Sequence, residues 1–343
     1  MMRYLSFILL ATYVHQGFAE QPQALARLDK SILQHYQNTD EKIAFLPQQS
    51  IDKKIDKLYE HIQQKSSTTA DRLYYFSEYY LNYPYVLFPL GEGRPSKYDE
   101  MPRIRLDAFD CQTYVDTILA LTFADNTAHF KQCLDKIRYR DGIVSFVTRN
   151  HFTSLDWNKN NQINGYLQDI TPTIRDEKKH IIAQYASTEI DKASWYKKLP
   201  LARIRIPTLT TEQKAMRLAA LHAEGQHFQS ENTVVPYIPL NQLITQQGQL
   251  NPAISSQIPS GAIIEIVRPN WPLKAIIGTN LDISHIGFAF WKGDTLYFRQ
   301  ASSSAHKVID IPLLDYLSQA ANNPTIGGIN IQVVKGKTPR SHC

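Results

Sequence analysis

Apolar residues recur every three or four positions through the first part of the chain, then alternate or run together in the last third. Residues 20–66 read as a polar helical lead-in, with Leu25, Leu28, Ile32 and Leu33 at helical spacing. A second helix is expected from Ala70 to Tyr80, ending before Asn82-Tyr83-Pro84, and residues 90–102 form an ordered loop around Gly91, Gly93, Pro95 and Pro102. The next helix runs from Cys111 to Ala124, with Val115, Ile118, Leu119 and Thr122 on one stripe. From about 150 to 260 the pattern weakens. Pro172, Pro200, Pro207, Pro236 and Pro239 punctuate it, and only Thr211 to Glu224 gives a convincing helix. Strands follow: Ala262 to Val267 is apolar except for Glu265, and Ile283–Trp291 and Leu296–Ala301 flank Lys292-Gly293-Asp294-Thr295, which is hairpin chemistry. Helices first and strands last predict an α+β fold.

Ahead of these elements lies a targeting signal. Arg3 gives a short basic start, Tyr4 to Tyr13 is apolar apart from Ser6 and Thr12, and Gly17-Phe18-Ala19 sets small residues before a cut at Glu20. That order is the pattern of a secretory signal, so residues 1–19 are left out of the fold and export to the periplasm or exterior is expected. The apolar run is about half of what a membrane span needs, and no later segment is long or apolar enough to cross a bilayer.

Hydrophobic residues make up 43 % and charged residues 20 % of the 343, as in a globular protein with a substantial core. The net charge of +5 is a mild excess, and Lys and Arg form no stripe, which argues against nucleic acid. The three cysteines, Cys111, Cys133 and Cys343, leave at least one thiol unpaired in an oxidising compartment. Cys133 with Cys343 is a possible disulfide; Cys133 as a buried small residue is the other reading.

Asp110 can cap the helix that begins at Cys111, and the partial positive charge of a helix N-terminus favours thiolate. A core cysteine is the bland alternative. In Ile283-Ser284-His285-Ile286-Gly287-Phe288-Ala289-Phe290 a polar pair interrupts an apolar strand, and alternation puts His285, Gly287 and Ala289 on one face. The two small residues leave room for a close approach, although a satisfied core histidine would also fit. With a two- or four-residue loop, Trp291 pairs with Leu296, so Gln300 falls opposite Gly287 and diagonal to His285, roughly 7–8 Å away. Gln300 can then accept from one imidazole nitrogen and hold the other toward Cys111. Ser302 is the local rival for that role.

Phe109-Asp110-Cys111, Ser284-His285-Ile286-Gly287 and Phe298-Arg299-Gln300-Ala301-Ser302 resemble the cysteine, histidine and third-residue motifs of the NlpC-type, papain-like cell-wall amidases. Tyr83-Pro84-Tyr85 matches as well, and the resemblance implies that Tyr85, with the Cys111 N–H, forms the oxyanion site. Ile137-Arg138-Tyr139-Arg140-Asp141-Gly142, Arg149-Asn150-His151-Phe152, Val267-Arg268-Pro269-Asn270-Trp271 and Leu281-Asp282-Ile283-Ser284-His285 resemble the large-insertion branch. That branch implies N-acetylmuramoyl-L-alanine amidase activity on anhydro-muropeptides. The implied organisation is an N-terminal helical segment over 20–66 and a catalytic domain over 67–343 with an insertion at about 150–260. Its core would be a papain-like NlpC-type one, the Cys111 helix packed on an antiparallel sheet. Gln300 stands where many relatives have histidine.

Arg149, Asn150, His151 and Trp157 are candidate substrate-binding residues, because arginine can clamp a carboxylate and an aromatic ring can stack on a sugar. An ordered loop held by its own polar groups is the alternative. Asp156-Trp157-Asn158-Lys159-Asn160 fails as a calcium loop, with Asn161 and Leu167 where Gly and Glu are required. The histidines show no zinc spacing, and no G-x-S-x-G elbow is present, so neither metal nor cofactor is expected. A D-glutamyl–diaminopimelate endopeptidase and a non-catalytic cell-wall binding protein are the two competing functions; an acyltransferase with the same nucleophile scheme is a third.

Overall fold

The computed structural model describes residues 48–343 apart from 64, 67, 337 and 340–342. The targeting signal and Leu25, Leu28, Ile32 and Leu33 lie outside the described residues. Helix α1 (Gln48–Gln63) and helix α2 (Thr69–Tyr79) come first. The second is capped by Thr68, whose side chain takes the Asp71 N–H while Asp71 takes that of Thr68. Helix α3 (Cys111–Phe123) is expected to bury a stripe, yet Thr113 to Phe123 are all buried. It lies between helix α4 (Thr127–Arg138), α2 and the sheet, so every side has a partner.

The sheet has eight strands: β1 (Leu167–Asp169), β2 (Gln184–Asp191), β3 (Ser230–Pro239), β4 (Ala262–Trp271), β5 (Leu281–Lys292), β6 (Thr295–Ser302), β7 (Lys307–Pro312) and β8 (Gly328–Val334). Their order is β2-β3-β8-β4-β5-β6-β7, with β1 also on β8, and every pairing is antiparallel. Mixed helices and antiparallel sheet make the fold α+β. Helix α5 (Thr211–Gly225) matches the helix expected from Thr211 to Glu224, and helix α6 (Leu313–Ala320) follows β7.

Two cores form on the two sheet faces. Ile263, Ile286, Phe288 and Phe290 pack with α1 to α4 on one face. Ile264, Ile266, Ala289 and Phe298 pack with Leu313 and Leu317 of α6 on the other. Alternation along β5 produces this split. The hairpin turns on Gly293-Asp294, with Gly293 at φ +57°, and Trp291 pairs with Leu296 as the sequence predicts.

The stretch 150–260 holds more than the single expected helix. It contributes β1, β2 and β3 to the sheet and a π-helix over Thr153–Asn158. Prolines concealed β2 and β3. Pro236 pairs with Tyr185 of the edge strand β2 and lies outside the short β3–β8 ladder, so a missing N–H is tolerated, and Pro239 closes β3. Cys133 on α4 is joined to Cys343 by a disulfide with a Cα–Cα distance of 4.9 Å. Among the described residues no helix is long and apolar enough to cross a membrane.

Candidate active site

Asp110 caps α3. Its carboxylate accepts from the Thr113 N–H at 2.8 Å, the Thr113 hydroxyl at 2.7 Å and the Phe88 N–H at 3.1 Å. Cys111 is therefore the first helical residue, half-buried and the free cysteine among the described residues. The second helical position is held by a network. Gln112 donates to Asp116 at 3.0 Å, the Trp157 indole donates to the same oxygen at 2.7 Å, and Thr153 donates to Gln112 at 3.3 Å.

The β5–β6 ladder stops at Phe288–Arg299, although both strands run on. The start of α3 sits at that opening, with the Ile286 N–H close enough to Cys111 to favour its anion. His285, the preceding residue, bonds through Nε2 to Gln300 Oε1. An amide oxygen only accepts, so the Nε2 proton is fixed and Nδ1 carries the lone pair. The room left by Gly287 is taken by the adjacent strand and not by α3, which packs on the Ile286 face: a Cβ on Gly287 would fall 2.7 Å from the Phe298 ring and 3.0 Å from Gln300 Cβ. Ser302, the rival to Gln300, instead caps its own turn by accepting from Ala305 N–H at 3.1 Å.

Tyr85 reaches the same place from the other side. Its N–H donates to His306 O, the next N–H donates to Phe109 O, and its phenol is a close neighbour of Cys111. Tyr316 of α6, which the sequence did not single out, stacks on His285 with centroids 6.1 Å apart and planes at 18°. Cys111 is also among its electrostatic neighbours. Its signal in the sequence is the helical spacing of Leu313, Tyr316, Leu317 and Ala320, which marks a packed face and not a site.

The four expected substrate contacts are held elsewhere by protein groups. Trp157 is 1 % exposed with its indole on Asp116, so neither ring face is open to a sugar. The Arg149 side chain, 14 % exposed, bonds to Glu92 and lies 3.1 Å from Asp99. Asn150 donates to Ile137 O at 3.0 Å, and His151 Nε2 meets Phe146 O at 2.7 Å beside Trp195. These contacts brace the loop after α4; the ordered-loop alternative describes their geometry.

Electrostatics also departs from the expectation of a helix-stabilised thiolate. Burial first, and the Asp110 charge second, push the Cys111 thiol up to about 12, outweighing the N–H groups of Ile286, Gln112 and Cys111 itself. Burial lowers His285 to about 4, against the bond to Gln300. Both groups are therefore neutral between these values, and among the described residues no hydrogen bond joins thiol to imidazole. The base must be unprotonated to act, so kcat/KM should rise with pH through about 4 and stay level past neutrality. Rates measured from pH 3.5 to 9, with folding checked at each point, test this; an acid limb centred near 6.5 would contradict it.

An α+β protein that sets a helix-capped cysteine beside a histidine–glutamine pair and a tyrosine has the parts of a hydrolytic site. Comparison with known families gives the class: a family model described as AmiA-like, N-acetylmuramoyl-L-alanine amidase-like, matches residues 75–326, and the chain belongs to that family. A crystal structure from Legionella pneumophila str. Philadelphia 1, of family-model DUF1460, is similar at 45 % identity and TM-score 0.82, over 85 % of this chain and 97 % of that one. An N-acetylmuramoyl-L-alanine amidase from Bacteroides uniformis is similar at 27 % identity and TM-score 0.56, over 78 % and 99 %. A putative xylanase from Bacteroides fragilis, at 24 % identity and TM-score 0.52, shares the fold alone. No curated protein matches the chain.

Proposed function

We propose that this protein is a cysteine amidase with a papain-like, NlpC-type core that cuts the lactyl–L-alanine amide of anhydro-muropeptides. The observation that carries the reading is the His285–Gln300 bond, which leaves Nδ1 unprotonated on a strand whose next residue, Ile286, offers its N–H to the cysteine at a helix start. His285 Nδ1 takes the Cys111 proton as sulfur bonds to the lactyl carbonyl carbon. Negative charge on the carbonyl oxygen meets the Tyr85 hydroxyl and the Cys111 N–H. His285 returns the proton to the alanine nitrogen, the C–N bond breaks, and the peptide leaves. Water, deprotonated by His285, then releases the lactyl acid and restores the thiol. Gln300 holds the imidazole without adding charge, which suits a ring that is neutral at rest. No metal enters this scheme.

The protein acts outside the cytoplasm in this reading. The N-terminal signal pattern supports that placement, and so does the Cys133–Cys343 disulfide. Digesting defined muropeptides tests the bond. Free disaccharide with an intact stem peptide is the expected product, and a shortened stem still attached to sugar would favour a D-glutamyl–diaminopimelate endopeptidase and overturn this choice.

A further inference from the structure

The buried and half-buried arginines of this fold mostly meet acids. Arg105 bonds to Asp107, Arg149 to Glu92 and Asp99, Arg205 to Asp99, and Arg299 to Asp310. Arg268 on β4 does not. Its Nη1 donates to Thr325 at 2.6 Å and its guanidinium lies 4.2 Å from the Trp271 ring centroid, but its Nε is buried without a partner. Among the described residues no carboxylate pairs with it, and burial draws its pKa below the ordinary arginine value. A partly buried guanidinium left without an acid loses hydration that nothing in the protein fully replaces, and its fork is shaped to take a carboxylate through hydrogen bonds.

The position of Arg268 beside the site gives this pairing a meaning. Ile266, two residues before Arg268, is the strand partner of His285. Two residues of strand span about 7 Å. Tyr316 bridges the interval: it stacks on His285 and is the electrostatic neighbour of Arg268. Because His285 protonates the departing nitrogen, the departing peptide lies on the His285 side of Cys111. One residue of extended peptide also covers about 3.5 Å, so a carboxylate on the second residue is about 7 Å from the start of the leaving group.

We propose that Arg268 binds a free carboxylate on the second residue of the departing peptide, with Tyr316 forming the wall between it and His285. The proposal rests on the amidase reading for the direction of the peptide. In a muropeptide that group is the α-carboxylate of the D-glutamyl residue, which is joined onward through its side chain. A peptide amidated at this position lacks the charge and should bind less well.

Calorimetry with Cys111→Ala protein and an anhydro-muropeptide, as the free acid and as the α-amide, tests this without turnover. The acid should bind about 10- to 100-fold more tightly, the range of a charge-assisted bidentate contact. Arg268→Gln in the same background should erase the preference, and Arg268→Lys should keep part of it, with thermal melts showing that both variants are folded. In the active protein Arg268→Gln should raise KM more than it lowers kcat. Equal binding of acid and amide, no binding of either, or a preference that survives Arg268→Gln would overturn the proposal. A protein that shows the preference yet cleaves no muropeptide would keep the carboxylate site and remove the amidase reading instead.

Discussion

Cys111→Ala should abolish muropeptide cleavage, by at least about ten-thousand-fold, while leaving the fold intact. The size of the loss follows from the mechanism. Without sulfur no acyl-enzyme forms, and the His285–Gln300 pair has no proton to withdraw. The fold should survive because the cap of α3 belongs to Asp110 and Thr113, and the helix is buried from Thr113 onward. Alanine at the first helical position keeps the helix and removes one half-buried sulfur. Product release followed by chromatography, with circular dichroism of the same sample, reads both sides. Retained cleavage would remove Cys111 as nucleophile, whereas retained muropeptide binding without cleavage separates an enzyme from a binding protein. The wild-type thiol should also react slowly with alkylating agents at neutral pH, because only a small fraction is thiolate when the group titrates near 12.

The neutral pair answers a difficulty raised by Gln300. A histidine or carboxylate orienter would support an imidazolium, and an amide does so less well. With His285 held near 4 by burial, little imidazolium exists before substrate arrives, so the missing charge matters only as the proton moves.

What the sequence disclosed depended on how local each signal was. The Asp110 cap, the helix after it and the Gly293-Asp294 turn are written within a few residues, so the placement of Gln300 beside His285 follows from strand alternation and one turn type. Tyr316 was not legible in that way. It reaches His285 only because α6 folds back over the sheet, a contact set by topology rather than spacing. Strands β2 and β3 were hidden for another reason: their outward residues, such as Tyr185 and Val234, are exposed, and their prolines mimic loop punctuation. Arg149 and Trp157 show the limit of composition. Residue types that suit a sugar or a carboxylate also suit a braced loop, and the bonds of both side chains run to Asp116 and Glu92 within the protein.

That distinction can be measured at Asp99, where replacement by alanine should cost about 3 kcal/mol of stability, the lower end for breaking a buried ion pair. The Asp99 side chain is 1 % exposed and faces both Arg149 and Arg205. It also accepts the Met101 N–H at 3.1 Å. The two arginines hold its carboxyl below the ordinary range despite burial. Alanine would leave Arg149 with Glu92 alone and Arg205 without a carboxylate. Glu92, raised by burial and then by the Asp99 charge against the pull of Arg149, would ionise more readily and offset part of the loss. Arg205 would keep the carbonyls of Phe88, at 2.6 Å, and Leu90, at 2.7 Å. Urea unfolding gives the difference directly, and a loss under about 1 kcal/mol would contradict a structural hub. Arg149→Met completes the comparison. If Arg149 braces the loop, its replacement lowers the unfolding midpoint in parallel with Asp99→Ala, and KM changes little in protein that remains folded. A raised KM at unchanged stability would return Arg149 to the substrate and leave the ion-pair network as its support.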